Sequence, residues 1–291
     1  MVRIGFASFW GDGINNIHIA EIDNYFLKAF RKHGIEYEVL NPFDVECDIL
    51  FFSCNNIENL GKIVGNPCRI FFDGEDVICY YQGLFDYSLS FLDDSDTNLY
   101  FPLWQINYDR FSSNKLDKSL LTNKKLFCTR LVSSYFDYRE KTYHYINENY
   151  KKIMSCGYVD NNIGGCLPHY CKGFKLLQNF HEPVRFNLCF ENRKTNGNDG
   201  YITEKILHAY IYGTVPIYCG SESITKFFNE ESFINCNGLT NEEIVERICE
   251  IDSDDDKYYK MLNANPFKED IDWKEYTYDR LINFLKSKNI I

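Results

Sequence analysis

Residues 186–220 decide the fold of this chain, and they read FNLCFENRKTNGNDGYITEKILHAYIYGTVPIYCG. The segment opens with an apolar run, 186–190, that predicts a buried strand. A loop rich in Gly, Asn and Asp follows, and apolar residues then recur at helical spacing from about Tyr201 onward. Gly213 can adopt the left-handed conformation that ends a helix, and residues 214–219 predict a second strand. A strand, a helix and a strand in this order predict a parallel pair of strands.

Polar side chains gather where such sheets bind ligands, beyond the carboxyl ends of their parallel strands. Glu191 and Asn192 directly follow the first strand. Tyr201, Glu204 and Lys205 open the predicted helix, where Tyr201 and Lys205 would share one face. A cation in the first helical turn is unfavourable unless an anion binds there. Lys205 therefore indicates a phosphate site, and the alternative is an ordinary strand-helix-strand unit with solvated charges.

These residues resemble the signature of the GDP-fucose-dependent α-1,3/4-fucosyltransferases, glycosyltransferase family 10. The family pattern is a FxLxFEN strand, a loop, a Y-[VI]-T-E-K motif and a G-T-[VI]-P-[IV] strand that ends in Gly. This chain has FNLCFEN at 186–192, YITEK at 201–205 and GTVPI at 213–217. A match of this length is far more specific than a lone glycine-rich loop. The loop at 193–200 departs from the pattern because it is a few residues longer.

Composition excludes several classes of protein. The 291 residues suffice for two domains, and a hydrophobic content of 45% is typical of a globular protein. The net charge of −11 disfavours nucleic acid or an anionic membrane as a main partner, since both require basic surface. The 12 cysteines show no metal-binding or disulfide spacing, so we expect buried thiols in a reducing compartment.

The N-terminal sequence, MVRIGFASFW, lacks the features of a secretory signal. No apolar run approaches the roughly 20 residues that a membrane-spanning helix needs. We therefore expect a cytoplasmic protein without a membrane anchor, of microbial or viral origin or trimmed from a longer form.

The first half of the chain alternates predicted strands with helices or long connections, which is typical of a Rossmann-like domain. Strands are predicted at 2–9, 36–40, 48–53, 69–72 and 87–91, and a helix from about Ile22. Glu75 follows the fourth of these strands in the sequence Asp73-Gly74-Glu75-Asp76. The family resemblance implies that Glu75 is the general base of the reaction. A solvated acidic turn is the alternative interpretation.

The second half opens with a strand at 126–132 and a helix at 137–152, with Arg139 in the first turn of that helix. The resemblance implies that Arg139 grips the pyrophosphate of the donor, a task that suits the fixed fork of a guanidinium. The alternative is a surface arginine that pairs with Glu140 or Asp137.

Later in the chain, a strand is predicted at 232–236 and helices at 241–251 and 273–288. Two acidic clusters, at 93–96 and 252–256, contain Asp-Ser-Asp, which resembles the metal motif of other glycosyltransferases. Neither cluster closely follows an apolar strand, so solvated helix caps are the better interpretation. We expect no metal site and no required cofactor, although divalent ions can stimulate by binding the diphosphate.

Together these features predict an α/β protein of the GT-B type, with two Rossmann-like domains facing each other across a cleft. Residues 1–118 would form the acceptor-binding domain and residues 119–291 the GDP-fucose-binding domain. We expect the last helix to pack back on the N-terminal half.

The resemblance implies an inverting glycosyltransferase that moves L-fucose from GDP-β-L-fucose to an acceptor glycan. The implied linkage is α-1,3, to a GlcNAc-type or glucose-type residue of an oligosaccharide or glycoconjugate. Glu75 would remove the proton from the acceptor hydroxyl, and Arg139 and Lys205 would stabilise the leaving diphosphate. Orientation of the nucleotide would fall to a further group of residues, namely Tyr201, Glu204, Glu191 and Asn192.

Two alternatives stay open, a GT-B transferase that uses another nucleotide sugar and a non-catalytic glycan-binding protein of the same fold. The presence of a base, two cations and ribose contacts argues against the second. The loops at 10–18 and 77–82 are expected to select the acceptor, but their sequences follow no pattern that identifies it.

Overall fold

The computed structural model describes residues 1–9, 25–75, 81, 83–112, 115–167, 170–195, 200–269 and 278–291. The chain divides into two compact units. The first unit contains Met1–Ile106, Asp199–Tyr201 and Asp272–Ile291, and the second contains Asn107–Asn198 and Ile202–Ile271. The boundary predicted between residues 118 and 119 thus falls inside the second unit.

A six-stranded parallel sheet forms the centre of the first unit. Its strands are β1 (Val2–Ala7), β2 (Tyr37–Leu40), β3 (Ile49–Ser53), β4 (Cys68–Phe72), β5 (Tyr87–Ser90) and β6 (Asn98–Tyr100). They pair in the order β2-β1-β3-β4-β5-β6, and each pair is parallel. Strand β3 is buried along its whole length, so its sequence is a continuous apolar run rather than an alternating one.

A five-stranded parallel sheet forms the centre of the second unit. Its strands are β7 (Leu126–Arg130), β8 (Ile153–Ser155), β9 (Val184–Thr195), β10 (Val215–Ser221) and β11 (Ile234–Asn235), in the order β11-β10-β9-β7-β8. The pair β9 and β10 is parallel, as the strand-helix-strand pattern predicts. Strand β9 extends to Thr195, beyond its predicted end at residue 190, and so carries Glu191 and Asn192 within it.

The described α-helices are α1 (Tyr25–Lys32), α2 (Asp137–Asn149), α3 (Tyr170–His181), α4 (Lys205–Ile211), α5 (Ile224–Phe227), α6 (Asn241–Asp252), α7 (Asp255–Leu262) and α8 (Arg280–Ser287). Helix α3 spans 12 residues and leads into strand β9. Helix α7 and the short strands β6 and β8 were not predicted, because each is too short for hydrophobic periodicity to identify it.

Aromatic rings and the last helix fill the core of the first unit. Phe26 of α1 stacks on Phe51 of β3 with 4.5 Å between ring centroids. Helix α8 contributes Leu281, Ile282 and Leu285 to the same core, and all three are fully buried. Aromatic contacts of this kind add to the free energy that burial itself supplies.

The acidic cluster at 93–96 lies in a turn of the first unit rather than at a helix cap. Asp94 accepts the backbone N–H of Tyr100 at 2.7 Å, and it also pairs with Arg280 of α8. This cluster therefore helps to hold α8 in place. None of the described helices is both long and apolar enough to cross a membrane.

Candidate functional site

The carboxyl edge of the second sheet brings together several of the residues that the sequence singled out. Glu191 lies near the carboxyl end of β9, and Arg139 lies in the first turn of α2, which follows β7. Lys205 begins α4, which connects β9 to β10. All three residues belong to the second unit.

Glu191 is fully buried, and three hydrogen-bond donors satisfy its carboxylate. Thr203 donates its backbone N–H to Oε1 and its hydroxyl to Oε2, each at 2.7 Å. Lys205 Nζ donates to Oε2 at 3.0 Å and to the Thr203 hydroxyl oxygen at 2.9 Å. Because a buried ion pair needs such additional hydrogen bonds, Glu191 and Thr203 together hold the ammonium in one position.

The charge of Lys205 is stabilised by carboxylates and opposed by a neighbouring cation. Burial lowers the pKa of Lys205, but the attraction of Glu191 and of the half-buried Glu204 outweighs it, and the net shift is upward. Arg139 acts in the opposite direction. The Lys205 side chain keeps 20% of its surface exposed, so part of this side chain is accessible to a ligand at the sheet edge.

Burial raises the pKa of Glu191, although the Lys205 charge and the Thr203 hydrogen bonds oppose that shift. Gly220, at the end of β10, gives this carboxylate its space. A Cβ atom on Gly220 would come within 2.5 Å of Glu191 Cγ and 2.7 Å of the Tyr218 hydroxyl. Gly220, which follows the GTVPI motif, is thus needed for the packing of Glu191.

Arg139 is also held by oxygen atoms of the second unit, and only 2% of it is exposed. Its Nη1 donates to Asn192 Oδ1 at 3.0 Å, and its Nη2 donates to the Ser134 carbonyl. Its Nε lies 3.3 Å from a carboxylate oxygen of Glu140. Burial lowers the pKa of Arg139, and Glu140 opposes the shift. The pairing of Arg139 with Glu140 does occur, but in the interior rather than on the surface.

Arg130 was not singled out in the sequence, yet it supports Arg139 through their shared partner Glu140. The second carboxylate oxygen of Glu140 lies 2.5 Å from Arg130 Nη1, and both side chains are buried. The Arg130 guanidinium also lies over the ring of Tyr143, 3.3 Å from its centroid. The sequence could have indicated this pair, because Arg130 lies near the end of a predicted strand and Glu140 lies in the first turn of the helix that follows.

Tyr201 belongs to the first unit, whereas the chain from Ile202 onward belongs to the second. Helix α4 begins at Lys205, so the predicted helical face shared by Tyr201 and Lys205 is wrong. The Tyr201 ring is buried in the core of the first unit, 4.8 Å from the ring centroid of Phe91. The helix starts late because Thr203 is bound to Glu191 just before it. Contact between Tyr201 and the donor stays a prediction.

Glu75 lies in the first unit, in the turn directly after β4, and its side chain is exposed. Burial raises the pKa of the Cys54 thiol to about 11, and the carboxylates of Glu75 and Asp73 add to that shift. Glu75 therefore lies near Cys54 at the carboxyl edge of the first sheet. Its role as general base stays a prediction, and the neighbouring Asp76 is outside the described residues.

The second acidic cluster, at 252–256, provides the predicted helix cap. Asp254 accepts two backbone N–H groups at the start of α7. Asp252 differs from the prediction, because it is buried and pairs with Lys151 and Arg185. Within the part of the chain that the structure describes, no group of His, Cys, Asp and Glu side chains could hold a metal ion.

The segments expected to select the acceptor fall largely outside the described residues. The loop at 10–18 does so entirely, and the loop at 77–82 does so apart from Tyr81. The same holds for residues 196–199 of the loop that departs in length from the family pattern.

Comparisons with known proteins place the chain in a family. A family model described as glycosyltransferase family 10 (fucosyltransferase), C-terminal part, matches residues 121–279. The α-(1,3)-fucosyltransferase FucT of Helicobacter pylori is 31% identical over 318 residues, which cover 96% of this chain and 63% of that protein. This chain belongs to glycosyltransferase family 10, and the resemblance seen in residues 186–220 is confirmed. The chain spans less than two thirds of the length of the H. pylori relative.

Solved structures agree in fold. The crystal structure of an α1,3-fucosyltransferase aligns with 98% of this chain and with 89% of the residues of that enzyme. The TM-score is 0.77 and the sequence identity is 24%. The structure of an α1,3-fucosyltransferase with GDP-fucose matches the same shares of both chains with a TM-score of 0.74, also at 24% identity. With two parallel sheets in this chain, these likenesses confirm the predicted α/β class and GT-B type.

Proposed function

We propose that this chain is an inverting α-1,3-fucosyltransferase that transfers L-fucose from GDP-β-L-fucose to a hydroxyl of an acceptor glycan. The observation that carries the proposal is the placement of Lys205 and Arg139 at the carboxyl edge of the second sheet. Each cation is held by a buried carboxylate, Glu191 for Lys205 and Glu140 for Arg139. Family membership and the GDP-fucose-bound structure of similar fold support this choice of donor.

The two cations suit the leaving group. Arg139 lowers the pKa of Lys205, which means that their positive charges oppose each other in the protein without ligand. A diphosphate bound at this edge would attract both charges and offset that repulsion. As the bond from fucose to GDP breaks, negative charge grows on the β-phosphate, and cations fixed beforehand stabilise it without reorganisation. Lys205 has the exposed surface to donate directly to the phosphate oxygens.

Glu191 and Asn192 act in this scheme through the cations rather than through the nucleotide. Glu191 is fully buried and fixes Lys205, and Asn192 accepts a hydrogen bond from Arg139. Glu204 is half-buried beside Lys205 and is proposed to contact the ribose. Precise placement of catalytic groups lowers the barrier because their orientation is settled before the substrate arrives.

Glu75 is proposed as the base because the attacking hydroxyl must lose a proton as it bonds to the anomeric carbon. An exposed carboxylate at the end of a buried strand is accessible to an acceptor hydroxyl. A single direct attack on the β-linked donor yields an α-linked product, which is inversion at the anomeric carbon.

A transfer assay on a glycan array with GDP-fucose tests the proposed function. We expect fucose to be attached to glycans that carry GlcNAc or glucose, through the hydroxyl at position 3. A parallel panel of nucleotide sugars measures donor hydrolysis. Turnover of another donor without any turnover of GDP-fucose would overturn the proposal.

Fucose transfer is expected to persist in excess EDTA, because Arg139 and Lys205 would stabilise the charge that a metal stabilises elsewhere. Added Mn²⁺ can still raise turnover by binding the released diphosphate. The initial rate of transfer with and without EDTA is the measurement. Complete loss in EDTA with recovery on Mn²⁺ would contradict the expectation and direct attention to the acidic clusters.

GDP is expected to protect backbone amides of the second unit from hydrogen exchange more than those of the first unit. Protection should centre on residues 202–207 and on the first turn of α2, where Lys205 and Arg139 lie. Mass spectrometry of peptides with and without GDP measures it. Protection confined to residues before 107 would instead place the nucleotide in the first unit.

A further inference from the structure

A polar cavity lies at the amino ends of strands in the second sheet, opposite the edge that carries Lys205 and Arg139. Its volume is about 800 Å³, and the short 3-10 helix Lys118–Asn123, α3 and the turn after α4 contribute to its walls. Its lining includes Lys124, Glu182 and Gly213, which lie just before β7, β9 and β10 respectively. These three neighbouring strands are parallel, so the cavity is at their amino ends. The strands are long enough to separate it from the carboxyl edge by about 20 Å.

Lys124 brings a buried charge into this cavity. Only 8% of the residue is exposed, and its Nζ donates to the Gly213 carbonyl oxygen at 2.6 Å. Among the described residues this neutral oxygen is its one hydrogen-bond partner, and no carboxylate lies within ion-pair distance. Burial lowers the pKa of Lys124 to about 8, Glu182 opposes the shift and Arg185 adds to it. A buried ammonium without a carboxylate at ion-pair distance is unfavourable, and a bound anion would compensate it.

The rest of the described lining favours the same kind of ligand. Lys115 and Lys175 add two cations, and Glu182 is the single acidic residue of that lining. This excess of positive charge stands in a chain whose net charge is −11. Asn123 and Gln178 add side-chain amides, which both donate and accept hydrogen bonds and therefore suit hydroxyl groups.

We propose that this cavity binds a sugar that carries a phosphate or carboxylate group, with Lys124 as the counter-charge of the anion. A cavity of this volume is within the range of small-molecule sites, and its amides provide partners for the sugar hydroxyls. The site is separate from the cations of the proposed donor site and does not depend on the fucosyltransferase activity.

Isothermal titration calorimetry of the full chain with glucose 6-phosphate, glucuronate and glucose tests the proposal. At least one of the two anions is expected to bind saturably, and glucose is not. Lys124→Met keeps the length and apolar stem of the side chain and should weaken anion binding at least about 30-fold. Lys125→Met makes the same charge change at the exposed neighbouring residue and should change the affinity by no more than about twofold. The comparison of phosphate with carboxylate identifies the preferred anion.

The wild-type protein provides a measurement that does not depend on the folding of a variant. The NMR signal of the Lys124 side chain should titrate at higher pH when the anion is bound, because the anion stabilises the protonated amine. An anion that bound at Arg139 or Lys205 instead would not shift the titration of Lys124, and its affinity would not change in Lys124→Met. Three results would overturn the proposal: no saturable binding of either anion up to about 10 mM, equal binding of glucose, or equal losses in the two variants.

Discussion

Glu75→Gln should lower the rate of fucose transfer by about 10²–10⁴-fold and leave the affinity for GDP near that of the wild type. Glutamine keeps the shape of the side chain but cannot accept the proton of the acceptor hydroxyl. Because Glu75 is an exposed turn residue, its substitution should change the free energy of unfolding by no more than about 0.5 kcal/mol. Initial rates of transfer and calorimetry with GDP separate the two effects.

Asp76→Asn and Glu191→Gln serve as comparisons, since each removes one other carboxylate that could act as a base. Glu191 is fully buried against Thr203 and Lys205, so Glu191→Gln should act on donor binding as well as on rate. If Glu75→Gln retains more than about a third of wild-type turnover, well above the loss expected for a base, another group removes the proton. The proposed donor site would be unaffected by that result.

Lys205→Ala and Arg139→Ala should each weaken GDP binding and slow transfer, and each should lose about 2–4 kcal/mol of transition-state stabilisation. The reason is the loss of one of two fixed cations from the place where the diphosphate gains charge. Calorimetry with GDP and kcat/KM for GDP-fucose are the measurements. Lys226→Ala, at an exposed lysine of the same unit, is the matched control and should leave both unchanged. Unchanged GDP affinity in both variants would place the nucleotide elsewhere.

Lys205→Ala also leaves the buried Glu191 carboxylate without its cation, which can destabilise the protein. The double variant Lys205→Met, Glu191→Gln removes both charges together and keeps the volume of both side chains. It should unfold near the wild-type temperature yet bind GDP as weakly as Lys205→Ala. Near wild-type GDP binding in this double variant would show that the single variant acts through folding alone.

The parallel sheets could be predicted because buried parallel strands are continuous apolar runs that stand out in the sequence. ILFFS in β3 and FNLCF in β9 are examples. Arg139 was assigned through the family resemblance, whereas the order of strands and helix placed Glu191 and Lys205 at one sheet edge, since the ends of parallel strands meet there. The placement of Glu191 and Lys205 needs only local patterns and one rule of topology.

The start of α4 could not be predicted, because it depends on contacts between residues distant in the chain. Periodicity extends the helix back to Tyr201, but the Tyr201 ring packs on Phe91 and Thr203 bonds to Glu191. For the same reason the sequence did not show whether Arg139 is exposed or buried. Its environment depends on Asn192, which lies 53 residues away along the chain.

Helix α8 has a consequence for the order in which the protein is made. Leu281, Ile282 and Leu285 fill the centre of the first unit, whose own strands begin at Val2. During synthesis the ribosome must produce all of residues 107–271 before these three side chains can pack into the first unit. During this time the sheet of the first unit keeps part of its apolar surface exposed to solvent. The second unit, whose residues are already synthesised, can fold before the first unit is complete. Nascent chains stalled before residue 280 should for this reason recruit chaperones to their N-terminal segment.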